Sequence, residues 1–110
     1  MAKNPTTMTW VAPTTNTDGT AIQAGEITGY QIGARLTSAA GSVAGTYPIT
    51  ATVNDPTATS APLSILGTLA EGTYAASVMA LGPNNSTWDP TEATFTIAPV
   101  PSPPSGFSVA

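Results

Sequence analysis

Six carboxylates, two cations, no histidine and no cysteine are the charge-bearing chemistry of this 110-residue sequence. Without Cys or His there is no thiol nucleophile, no imidazole base, no ordinary zinc site and no disulfide framework. Acid–base work would need two carboxylates brought together. Asp89 and Glu92, which follow Trp88, are the nearest pair along the chain. Asp18, Glu26, Asp55 and Glu71 sit in turn-rich segments, where a carboxylate ordinarily solvates a loop. A calcium site takes about six oxygens, and no segment supplies them. The expectation is a protein with no catalytic residues, no metal and no cofactor.

Two further features could recognise a partner. Asn84-Asn85-Ser86-Thr87 holds two overlapping glycosylation sequons, and Trp88 follows at once. Read plainly, Asn84 and Asn85 form a polar loop tip. Trp88 either faces outward to meet a sugar or a protein, or caps the end of a core. Nucleic acid is not an expected partner, since Lys3 and Arg35 alone oppose a net charge of −4. Nor is a membrane: there is no spanning apolar run and no basic amphipathic helix. Residues 1–5 contain no apolar signal region, so synthesis without a secretion signal is expected. Charged residues are 7% of the chain, against about 25% in a typical protein. The surface must be largely Thr, Ser, Asn and Ala, which suits packing in an array.

The elements that would position these residues are short β-strands. Gly and Pro recur along the whole length, and no segment keeps helical periodicity beyond about two turns. Alternating runs occur at residues 8–12, 27–35, 46–53, 61–66, 73–81 and 93–98. Their inward faces are expected to carry Met8, Trp10 and Ala12; Tyr30, Ile32 and Ala34; Tyr47, Ile49, Ala51 and Val53; Leu63 and Ile65; Tyr74, Ala76, Val78 and Ala80; and Ala93, Phe95 and Ile97. Pro13, Asp18-Gly19, Asn54-Asp55-Pro56 and Gly82-Pro83 punctuate them. This pattern predicts an all-β, two-sheet antiparallel sandwich over residues 1–98. A Pro/Ser-rich extended tail follows at 99–110.

Three segments resemble the fibronectin type III family. Met8-Thr9-Trp10-Val11-Ala12-Pro13 is similar to its strand B, Ile27-Thr28-Gly29-Tyr30-Gln31-Ile32 to strand C, and Leu69-Ala70-Glu71-Gly72-Thr73-Tyr74, with Val78, to the corner and strand F. The resemblance covers residues 8–99, and immunoglobulin-like relatives share its cues. It implies a core with Trp10, Tyr30, Tyr74, Val78 and Phe95. It also implies that the Tyr74 hydroxyl bonds back to the corner backbone.

The departure from the family is strand A, for which residues 1–7 leave little room. A strand-A-like pattern occurs instead at residues 101–109. The expectation is a sandwich whose strand A is missing or supplied by a tail. Pro103, Pro104, Phe107 and Val109 are then the candidate inter-subunit contacts. From the recurrence of such domains on phage particles, the resemblance implies a non-enzymatic virion protein, made in the host cytoplasm. A capsid decoration (cement) protein, or a related head or tail component, is the form expected. Its partners would be copies of itself or a major capsid or tail protein, in a homo-oligomer or lattice. The alternative is a spacer or binding module of a larger bacterial secreted enzyme or adhesin, with 99–109 as linker and the start of a next repeat.

Overall fold

The computed structural model describes residues 4–83 and 86–109. They form six strands: β1 Thr7–Thr9, β2 Gly29–Leu36, β3 Ile49–Val53, β4 Ser60–Pro62, β5 Gly72–Leu81 and β6 Ala93–Ile97. One antiparallel sheet pairs β1 with β4; the other has the order β3-β2-β5-β6. No α-helix occurs among the described residues.

The long strands arise where alternation is cleanest. β2 and β5 pair over eight positions, from Gly29 with Leu81 to Leu36 with Tyr74. That register puts Ile32 beside Val78 and Ala34 beside Ala76 on one face. Ile32, Ala34, Leu63 and Leu66 form the buried centre, with Met8, Trp10, Ile49, Val78, Phe95 and Ile97 packed against it. Because the cluster draws on both sheets, burying it holds them together.

Two expectations about strands need correction. Residues 61–66 do not form one strand. β4 ends at Pro62, and Leu63–Leu66 is a single 3-10 turn. Its three-residue period turns Leu63 and Leu66 inward, while Ile65 stays exposed. The strand expected at 46–53 begins only at Ile49. Pro48 has no N–H for a ladder, and Tyr47, freed from the strand, crosses to the opposite face of the sheet.

The Tyr74 hydroxyl donates to the Ala70 carbonyl at 2.8 Å, tying the start of β5 to the corner before it. Its ring stacks on Phe95 at 5.3 Å. At the other end of the body, the loop after β1 is ordered around Glu26. That carboxylate accepts from the Gln23 backbone N–H at 2.6 Å and from Asn16 Nδ2 at 3.0 Å.

Residues 99–109 contain no strand, and every one of them is exposed. The radius of gyration is 17.9 Å, against about 13 Å for a compact chain of about 100 residues. The molecule measures 72 × 28 × 23 Å. An extended Pro-rich segment of about 3.1 Å per residue accounts for its long axis.

Candidate functional site

Arg35, Glu92 and Tyr47 gather on the face of the β3-β2-β5-β6 sheet that turns away from the core. Arg35 lies there on β2, and Glu92 immediately precedes β6. Arg35 Nε and Nη2 donate to the two Glu92 oxygens at 3.0 and 2.7 Å, a two-pronged ion pair. Arg35 Nη1 donates to Ser42 Oγ at 3.0 Å, and Tyr47 Oη donates to Glu92 Oε2 at 2.7 Å. The Tyr47 ring meets Trp88 edge-on at 4.8 Å. Trp88 is held by its neighbour Asp89, whose N–H donates to Val78 O and whose carbonyl accepts from Ser77 Oγ.

Gly33 makes this arrangement possible. A Cβ there would sit 2.7 Å from Tyr47 Cβ and Cγ and 2.8 Å from Trp88 Cη2. The two rings therefore lie directly on the β2 backbone.

The electrostatics describe a completed structure. Arg35, then Tyr47, holds the Glu92 carboxyl below its usual range. Burial, then the Glu92 contact, pushes the Tyr47 phenol up. Glu92 is thus a stable anion with both oxygens engaged, and a poor base. Among the described residues, no three His, Cys, Asp or Glu side chains gather as a metal site would require. The Asp89–Glu92 proximity in sequence does not become a carboxylate pair, because Glu92 turns to Arg35. The outward-loop role expected for Trp88 meets a half-buried ring packed on Tyr47. Asn84 and Asn85 lie outside the described residues.

A second region has the opposite character. The Trp10 backbone N–H donates to Thr59 O, and Thr6 O accepts from the Leu63 backbone N–H. Backbone groups alternate along a strand, so those of Thr6, Met8 and Trp10 face β4. Those of Thr7, Thr9 and Val11 face the other way, where no described strand lies. The outer edge of β4 is blunted: Pro62 faces it and has no N–H to offer. The outer edge of β1 has no such guard between Pro5 and Pro13.

Beside this edge a groove of about 530 Å³ runs between β1 and β6. Met8, Trp10, Val78 and Phe95 line it, and each is only half-buried. Its acid is Asp89, at the rim.

Tyr30 and Tyr74 are buried. Tyr30 packs on Trp10 at 5.3 Å. Pro103 and Pro104 are exposed, and so are Phe107 at 89% and Val109 at 84%. The Arg35–Glu92–Tyr47 cluster is what sequence reasoning missed. Arg35 and Glu92 are 57 residues apart. The only local signals were an arginine on an otherwise uncharged strand and a proline that frees Tyr47. Comparisons with protein-family models, with curated proteins and with solved structures find no match.

Proposed function

We propose that this chain is a non-enzymatic structural protein, built on a fibronectin type III-like β-sandwich, that works by joining copies of itself or a larger lattice. Support for the sandwich comes from the strand order. β1 and β4 stand where strands B and E would lie, and β3, β2, β5 and β6 stand in the order C′-C-F-G. The Tyr74–Ala70 bond has the form of a tyrosine corner. The place we propose for it is a virion, as a capsid decoration protein or a related head or tail component. A surface poor in charge favours close packing against neighbours there.

One observation carries the reading: Phe107 and Val109 are almost wholly exposed, on a tail that leaves a body whose own apolar groove is half covered. Burying a Phe and a Val removes about 1.5–3 kcal/mol of exposure each. Exposed apolar side chains on an extended segment are a common basis of association. Cementing would consist of such contacts repeated between subunits, with the charged chemistry confined to holding the body rigid.

The reading predicts concentration-dependent assembly by light scattering after gel filtration. Removal of residues 101–110 is expected to abolish assembly and to lower the melting temperature by the share that association supplies. A monomer of unchanged behaviour with and without the tail would instead favour the spacer-module reading, in which the Pro-rich tail is a linker.

A further inference from the structure

We propose that the groove between β1 and β6 receives the 107–109 segment of a second copy of this chain as an added strand. This rests on the reading that the protein joins copies of itself, and it names the acceptor and the donor.

The acceptor is defined by backbone first. Thr7, Thr9 and Val11 turn their N–H and C=O groups away from β4, toward the unguarded edge. An added strand would satisfy them, as edge pairing commonly does. The same edge overhangs the groove, into which Met8, Trp10 and Phe95 show part of their apolar surface. The slot therefore asks for an extended segment with apolar side chains at alternate positions on one side and small polar ones on the other.

Residues 107–109 have that form. Phe107 and Val109 lie two apart, with Ser108 between them. With Phe107 and Val109 turned into the groove, Ser108 faces outward like Thr7 and Thr9. Its N–H and C=O then point at β1 and pair with one of those residues. The tail from 99 to 109 contains no charged residue, so a body of net charge −4 does not repel it. Pro99, Pro101, Pro103 and Pro104 make residues 99–106 a semi-rigid spacer of about 25 Å. That length matches the 28 × 23 Å cross-section of the molecule. To fill its own groove the tail would have to reverse within this stiff segment, just after β6. Reaching outward to another copy needs no reversal. Each copy both donates and accepts, so the contact is head to tail and builds rings or open chains.

Complementation tests it. Thr9→Pro removes an edge N–H that bonds nothing in the body, so this variant keeps its tail but blocks its groove. Phe107→Asp with Val109→Asp keeps the groove but spoils the tail. Each alone is expected to associate at least about ten-fold more weakly than the parent chain. Mixed, they are expected to form a one-to-one dimer that grows no further. The second measurement needs no proline. With no native cysteine present, Ser108→Cys in one chain should form a disulfide with Thr7→Cys or Thr9→Cys in another, and not with Thr52→Cys on β3.

If the parent chain assembles but the mixture stays monomeric and no β1 cysteine cross-links, the tail docks elsewhere; this proposal falls and the assembly reading stands. A cross-link formed within single chains would make the occupant the chain's own tail and overturn the second-copy claim. A parent chain that stays monomeric throughout would overturn both.

Discussion

The two sides of the β3-β2-β5-β6 sheet are finished to different degrees. On the outer side, Arg35, Glu92, Tyr47, Ser42 and Trp88 satisfy one another, and Gly33 lets them lie flat on the backbone. On the inner side, where the sheet meets β1, Met8, Trp10 and Phe95 stay half-exposed beside an unpaired edge. The side holding the Arg35–Glu92 pair is closed, and the open groove is lined by one acid, Asp89. In this molecule the cluster of polar side chains is a brace, and the place we propose for a partner is where apolar side chains lack coverage.

Substitutions should separate the brace from the open groove. The largest effect on the body is expected from Gly33→Val. Its Cβ would collide with Tyr47 and Trp88, and forcing them off the sheet should cost about 2–3 kcal/mol in chemical denaturation. Tyr74→Phe deletes the hydroxyl and its bond to the Ala70 carbonyl, an expected loss of about 1 kcal/mol by the same measurement.

Acid should act on the brace next. The folded pKa of Glu92 lies below its unfolded value near 4.5. The stabilisation is therefore fully present above that value and is lost as pH falls through the folded pKa. Trp88 fluorescence should report loosening of the cluster only below about pH 4.5, and Glu92→Gln should remove that step. Asp18 and Asp55, held low by Thr20 and Thr57, will leave a smaller acid dependence in that variant.

Thr9→Pro should change the melting temperature of the monomer least of all, because its N–H faces away from β4. A large loss of stability would show that the β1 edge is already part of the finished body.

Legibility followed the range of the forces involved. β2, β5 and β6 stand within about two residues of where alternation places them, because period-two patterning is local. The strand expected at 61–66 misled because Leu63, Ile65 and Leu66 fit either a strand or a tight turn. Pro62 broke the ladder and the turn took over. Tyr47 was misplaced because Pro48 keeps the strand from starting before Ile49, so the alternation does not reach back to it. The exposed tail was visible as composition, whereas the groove was not, since its lining comes from segments between 5 and 95 in the chain.

By itself, then, the sequence determined the all-β character, the turn positions, the poverty of charge and the alternation of Phe107 with Val109. These depend on near neighbours and on side-chain chemistry alone. Tertiary structure decided that Glu92 pairs with Arg35, that Tyr47 and Trp88 cover Gly33, and that β1 rather than β4 has the unguarded edge. Those outcomes depend on which distant segments become neighbours, and only packing of the two sheets on one core settles that.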